Sequence, residues 1–169
     1  SERNVRRLYE LARQTSLGFE SYARRLAKRY RGCPQLLEDV LDGLHANTQI
    51  PKIIGMAQLA SQTNNDSWYQ AADFFWHTVT EKRTVAIGGN SVREHFHDAA
   101  DFQPMVEDAE GPETCNSYNM LKLSKLLFSE NADVKYLNYY ERTSYNHILS
   151  SQHPKHGGLV YFTSMRPGH

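Results

Sequence analysis

Apolar residues recur at three- and four-residue intervals through most of the chain, and this spacing predicts amphipathic helices. Residues 4–14 and 22–30 carry it first, and a Gly-Cys-Pro break follows at 32–34. Residues 36–44 are predicted to be either a short helix or an irregular approach segment. A longer helix is expected to begin near Ile50, with Pro51 in its first turn, where a missing N–H costs nothing.

The next predicted helix covers residues 68–81, because Asp66 is a good N-cap and apolar residues follow at helical spacing. Its inward positions are Tyr69, Ala72, Phe75, Trp76 and Val79. From 84 to 112 the periodicity disappears. That segment holds too many apolar side chains for simple disorder, so an ordered loop across a helical scaffold is predicted.

Helical spacing returns near Glu113 and extends to about Ser129, and Asp133 is predicted to cap a last helix that reaches Leu149. Residues 159–163, with the sequence LVYFT, read as a β-strand. Helix pairs joined by loops and followed by the opening of a β segment predict a mostly α fold, namely part of a helical toroid. The chain is expected to carry about half of one.

Charge and composition narrow the classes of function. Among 169 residues, 19 basic and 19 acidic side chains balance, which gives no field toward nucleic acid or an anionic membrane. No apolar run approaches the roughly 20 residues that span a bilayer. Ten Tyr, seven Phe and two Trp suit a cleft that stacks against sugar rings, although most aromatic residues are expected in the core.

Three polar clusters are candidates for chemistry. The first, residues 45–49, begins with His45 and either binds sugar hydroxyls or merely caps a helix through Asn47 or Thr48. The second follows Gly88-Gly89, where Glu94 is either a general acid or a surface carboxylate paired with Arg93 or Lys82. The Walker spacing of a phosphate loop is missing there.

The third cluster is Glu113-Thr114-Cys115, at the start of a predicted helix. Carboxylate oxygen and thiolate sulfur are both ordinary zinc ligands, but zinc needs about four ligands and only two are evident. A buried structural cysteine is the competing interpretation.

Several strings of this sequence resemble the bacterial β-L-arabinofuranosidases of glycoside hydrolase family 127 and its relatives, once catalogued as a domain of unknown function. These strings are HANTQIPKIIG, IGGNSVREHF, EGPETCNSYNML, YYERTSYNHILSSQHP and GLVYFTSMRPGH. The resemblance is firm from about Asp42 onward. It implies part of an (α/α)6-barrel catalytic domain, whose other helices and following β-sandwich domains would lie outside residues 1–169.

The resemblance also implies roles for single residues. Glu113 and Cys115 correspond to zinc ligands, in a site of one Glu and three Cys, and Glu94 corresponds to the general acid/base. His45, Glu141 and Tyr161 correspond to residues that hold the arabinofuranose ring. The implied activity is removal of β-L-arabinofuranosyl residues from plant glycans by a retaining mechanism with a zinc-bound cysteine as nucleophile.

One departure from the family pattern bears on activity. The remaining two cysteines of the family form an adjacent pair downstream of the strand, and no such pair occurs in this sequence. Cys33 matches no motif and is not expected to replace them. The 169-residue chain is therefore expected to bind zinc weakly and to be inactive as a fragment.

Two other classes of function stay open on the residues alone. A carbohydrate-binding toroid protein would use the same aromatic cleft without catalysis. A sugar lyase or epimerase on a similar toroid would use His45 and Tyr161 as base and acid, without zinc. Family members occur inside cells and in the periplasm, so both compartments fit the resemblance.

Overall fold

Helices form most of the fold, which is given by a computed structural model that describes residues 39–63 and 66–168. The helices are α1 (Ala46–Thr63), α2 (Asp66–Lys82), the short α3 (Gln103–Glu107), α4 (Thr114–Glu130) and α5 (Val134–Thr143). α5 continues into a π-helical turn, Ser144–Ile148, and a 3-10 turn, Leu149–Ser151. The mostly α prediction is confirmed. The helices predicted at 4–14 and 22–30, and Cys33, lie outside the described residues.

The core forms where α4 packs against both α1 and α5, and α1 against α2. Apolar side chains one or two turns apart on each helix meet there, and burying each of them stabilises the fold by about 1.5–3 kcal/mol. The buried members include Ile50, Met56, Trp76, Met120, Leu123, Leu127 and Tyr136. The amphipathic spacing in the sequence thus identified the inward faces of these helices.

One helix start follows local capping, as predicted. The Asp133 carboxylate accepts a hydrogen bond from the backbone N–H of Lys135 at 3.0 Å and caps α5. Glu113 occupies the N-cap position of α4 in an extended conformation, without a side-chain capping bond. Asp66, predicted to be the N-cap that precedes α2, is instead the first residue of that helix, a difference of less than one turn.

The predicted start of α1 was wrong. The helix begins at Ala46, not near Ile50, so Pro51 lies inside it, where proline has no N–H to donate to the carbonyl of Asn47. The early start depends on a distant loop, since the Ala46 N–H donates to the carbonyl oxygen of Glu94 at 2.8 Å. Residues 39–44 are irregular rather than helical.

The predicted strand at 159–163 is also absent from the described residues. Leu159 pairs with Gln152, and Phe162 with Glu113, in isolated bridges that no neighbouring strand extends. The prediction of an ordered loop between Thr84 and Pro112 is confirmed, because Phe96 and Met105 are buried within it. No helix in the described ranges is long and apolar enough to cross a membrane.

Candidate active site

Backbone hydrogen bonds bring the residues before α1 beside the loop that carries Glu94. The Gly43 N–H donates to the Phe96 carbonyl at 2.8 Å, and the Phe96 N–H donates to the Leu44 carbonyl at 2.9 Å. His45 consequently lies next to Glu94, with its Nε2 atom 3.5 Å from Glu94 Oε2. Its ring meets that of His95 edge to face, with centroids 5.1 Å apart.

Glu94 sits in a strained turn. Arg93 and Glu94 have φ of 46° and 67°, and Val92 and His95 exchange two backbone hydrogen bonds of 2.9 Å around them. A two-residue turn with both central φ values positive normally takes Asn and Gly. Non-glycine residues in this region cost about 1–3 kcal/mol each and persist where their surroundings fix them.

The surroundings of this turn come from the segment that leads to α4. The Arg93 N–H donates to the Glu110 carbonyl at 2.8 Å, and Arg93 Nε lies 2.8 Å from Asp108 Oδ2. Arg93 therefore pairs with Asp108, and the interpretation of Glu94 as the partner of Arg93 is wrong. The carboxylate of Glu94 is left to face His45.

Tyr161 reaches the same carboxylate from the last segment of the chain. Its hydroxyl donates a hydrogen bond to Glu94 Oε1 at 3.2 Å, and its side chain is exposed. The negative charge of Glu113, together with hydrogen bonds to Glu113 and Glu94, raises the pKa of Tyr161 to about 12. At neutral pH Tyr161 is consequently a hydrogen-bond donor that faces both carboxylates.

Glu113 and Cys115 flank the first residue of α4. Glu113 is 2% exposed, and its Oε2 atom is buried without a hydrogen-bond partner among the described residues. Burial, and then the hydrogen bond and charge of Glu113, raise the pKa of Cys115 to about 12. A carboxyl group and a thiol this close together would both be stabilised as anions by a divalent cation.

The donor chemistry therefore fits zinc. A carboxylate oxygen and a sulfur are two of the about four ligands that zinc takes. Over residues 39–63 and 66–168, no group of three or more His, Cys, Asp and Glu side chains could surround one metal ion. The described residues thus offer part of a zinc site, and further ligands would be needed to complete it.

Comparison with known proteins assigns the family. The model of the β-L-arabinofuranosidase GH127 catalytic domain matches residues 3–169. This chain belongs to that family. No curated protein matches it.

Two solved structures of GH127 enzymes resemble the fold. One is the GH127 β-L-arabinofuranosidase Ara127N-Se from Geobacillus stearothermophilus T6, with 23% identity, a TM-score of 0.61 and coverage of 71% of this chain and 19% of that chain. The other is the GH127 β-arabinofuranosidase BT3674, with 26% identity, a TM-score of 0.65 and coverage of 73% and 20%. The chain thus spans about a fifth of the length of each relative. The predicted fold, part of an (α/α)6 barrel, is confirmed.

Glu141 stands apart from the other GH127 candidate residues. It lies on the exposed side of α5 and lines a surface hollow of about 300 Å³ with Asn138, Arg142, Tyr145 and Asn146. Within the described part of the chain, no hydrogen bond or ion pair joins it to the other five. The structure therefore brings His45, Glu94, Glu113, Cys115 and Tyr161 together and leaves Glu141 outside the cluster.

The structure adds two polar side-chain contacts that the sequence did not predict. Asn116 Nδ2 donates to Ser91 Oγ at 2.7 Å, and both residues are fully buried between α4 and the Glu94 loop. Asn119 Nδ2 donates to Asn47 Oδ1 at 2.7 Å, which links α4 to α1. In sequence such residues look like solvated polar positions, and only their presence inside the motif strings hinted at them.

Proposed function

We propose that the full-length protein containing this chain is a retaining β-L-arabinofuranosidase that acts on plant glycans, with zinc as its cofactor. The observation that carries the proposal is the hydrogen bond from Tyr161 to Glu94, next to the backbone pairing of Phe162 with Glu113, within one cluster that also contains His45 and Cys115. Membership of GH127 supports the reaction class. The substrate and mechanism are inferred from the cluster and from the family motifs.

Glu94 has the role of general acid and base in this proposal. Its Oε1 atom is held by the Tyr161 hydroxyl and its Oε2 atom faces His45, so the carboxyl group has a fixed orientation. As the acid it protonates the departing glycosidic oxygen. As the base it then takes a proton from the water that completes hydrolysis, the two-step role that retention of configuration requires.

Glu113 and Cys115 would hold zinc, with the remaining ligands and the nucleophilic cysteine in parts of the protein beyond these 169 residues. When bound, zinc keeps thiolates deprotonated near neutral pH and fixes their geometry. We assign Cys115 to metal binding because it lies two residues from Glu113 at the start of α4, in the motif that the family uses for zinc.

His45, Tyr161 and Glu141 would bind the hydroxyl groups of the arabinofuranose ring. His45 and Tyr161 already touch Glu94, so a ring held by both lies beside the acid. Glu141 lies in the polar hollow on α5, and its part in binding rests on its position in the YYER motif alone.

Release of L-arabinose from p-nitrophenyl β-L-arabinofuranoside by the full-length protein tests the reaction. Glu94→Gln should lower kcat by at least about a hundredfold, while Glu107→Gln, an exposed carboxylate on α3, should leave kcat unchanged. NMR of the first product should show the β anomer. A binding protein would tolerate Glu94→Gln and release no sugar, which would refute the proposal.

Metal analysis of the same preparations tests the cofactor. Glu113→Gln and Cys115→Ser should each reduce the bound zinc per protein, and Glu107→Gln should not. Release of arabinose by full-length protein that holds no zinc would exclude the zinc mechanism. Zinc-free protein whose products by NMR are an unsaturated or epimerised sugar would favour the lyase or epimerase alternative.

A further inference from the structure

His147 is a fully buried histidine in the middle of the fold. It lies in the π-helical turn Ser144–Ile148 that follows α5. Single π turns within α-helices are rare and occur frequently at functional sites. His147 has no role in the proposed reaction, yet its ring lies against three of the segments that carry the candidate chemistry.

Two hydroxyl groups bind the two nitrogens of the ring. Ser117 Oγ lies 2.7 Å from His147 Nδ1, and Ser117 is in the first turn of α4, just beyond Cys115. Thr163 Oγ1 lies 3.2 Å from His147 Nε2, and Thr163 follows Tyr161 by two residues in the last segment. One rigid imidazole thus joins the entrance of α4 to the segment that presents Tyr161.

The Pro112 carbonyl lies beside the ring and accepts a hydrogen bond from the Thr163 N–H at 2.8 Å. Burial lowers the pKa of His147 more than the Pro112 carbonyl raises it, so the ring is neutral at neutral pH. A neutral imidazole has one donor and one acceptor, and the hydroxyl groups of Ser117 and Thr163, each able to donate or accept, satisfy both nitrogens.

The loop that carries Glu94 also packs against Pro112 and the His147 ring, at Gly89. A Cβ atom at Gly89 would lie 2.5 Å from the Pro112 Cβ atom and 2.9 Å from the His147 Cε1 atom. Only glycine allows that approach of backbone to ring. His147 therefore lies against the Glu94 loop, the Glu113 turn and the Tyr161 segment at once.

We propose that His147 is a positioning residue for this active site, which sets the place of Glu113 and Cys115 relative to Tyr161 through Ser117, Pro112 and Thr163. This inference rests on the proposed function. Groups that orient metal ligands from behind typically change metal affinity or activity by about 10- to 100-fold when they are removed. Both nitrogens of the ring take part, so loss of either the Ser117 or the Thr163 hydroxyl group should free one of the two segments that His147 holds together.

The test uses variants of the full-length protein that keep the histidine. Ser117→Ala removes the α4 contact, and Thr163→Val removes the hydroxyl of the last segment while keeping its shape. The matched control is Ser124→Ala. Ser124 lies two turns further along α4, is buried, and its hydroxyl has a comparable bond of 2.8 Å, from the Trp76 indole.

Ser117→Ala and Thr163→Val should each lower kcat, and the resistance of bound zinc to a chelator, by about tenfold or more. Ser124→Ala should lower the free energy of unfolding to a similar extent and change kcat by less than about twofold. The double variant should lose less than the product of the two single losses, because both act through one ring.

Amide hydrogen exchange separates this proposal from the proposed function. The Thr163 amide, bound to the Pro112 carbonyl, should exchange faster in Ser117→Ala than in Ser124→Ala at equal global stability. If the wild-type protein releases no arabinose, the proposed function fails, and the exchange rates still decide the positioning role. If Ser117→Ala and Thr163→Val match Ser124→Ala in exchange, zinc retention and kcat, the positioning role is overturned.

Discussion

The hydroxyl group of Tyr161 lies 3.2 Å from Oε1 of Glu94 and donates a hydrogen bond to it, although the two residues are far apart in sequence. The same hydroxyl responds to the charge of Glu113, which raises the pKa of Tyr161 further. One exposed tyrosine therefore links the carboxyl group proposed as acid/base to the one proposed as a metal ligand.

Tyr161→Phe should lower kcat/KM of the full-length protein by roughly tenfold to a hundredfold, because Glu94 loses the donor that fixes its orientation. Arabinofuranoside hydrolysis at several substrate concentrations measures this. Tyr118→Phe is the matched control, since Tyr118 is an exposed tyrosine on α4. Equal rates for Tyr161→Phe and wild type would remove Tyr161 from the site.

The positive φ of Arg93 should make protein stability depend on the residue type at this position. Arg93→Asn and Arg93→Val both remove the exposed ion pair with Asp108, but asparagine tolerates a φ of 46° and a β-branched residue does not. The valine variant should therefore unfold more easily than the asparagine variant, by about 1–2 kcal/mol. Urea denaturation measures the difference, and equal midpoints would show that the turn relaxes without cost.

Cys115 should react slowly with iodoacetamide in metal-free chain. Its pKa is raised from 9.0 to about 12, so the reactive thiolate is scarce below pH 9 and the rate rises only as pH approaches 12. The Cys33→Ser substitution leaves Cys115 as the one cysteine of the 169-residue chain, so all the reaction with iodoacetamide is then that of Cys115. Glu113→Gln removes a carboxylate that raises this pKa and should speed the reaction at pH 8, whereas a rate that levels off near pH 9 in the parent would contradict the shift.

Because of His147, the free energy of unfolding of the protein should decrease in mild acid. Burial lowers its pKa below the value of 6.5, so the unfolded chain binds a proton there more readily than the folded protein. The stability that the neutral His147 side chain contributes is complete above about pH 7.5. It is lost as pH falls through 6.5 toward the pKa of His147 in the folded protein.

Urea unfolding of wild type and His147→Gln at pH 7.5, 6.5 and 5.5 measures this effect. The gap in unfolding free energy between them should narrow as pH falls. The gap between wild type and Ser124→Ala, which removes a hydroxyl and no titrating group, should stay constant. A His147→Gln gap that does not change with pH would show that the ring is not kept neutral by the fold.

Local interactions explain what the sequence determined. α2, α4 and α5 were predicted within a few residues because their apolar spacing and starting residues act within one or two turns, as in the bond from Lys135 to Asp133. The motif strings likewise identified the family, and five of the six candidate residues do converge. Those signals are read from neighbours in the chain.

Long-range pairing decided the rest. α1 begins early because a carbonyl of the Glu94 loop accepts the Ala46 N–H. Residues 159–163 form only isolated bridges because no strand within 39–63 or 66–168 lies beside them. The left-handed turn at Arg93 and Glu94 and the burial of His147 likewise require partners far away in sequence. Such conformations depend on hydrogen bonds between residues far apart in sequence, so no local pattern encodes them.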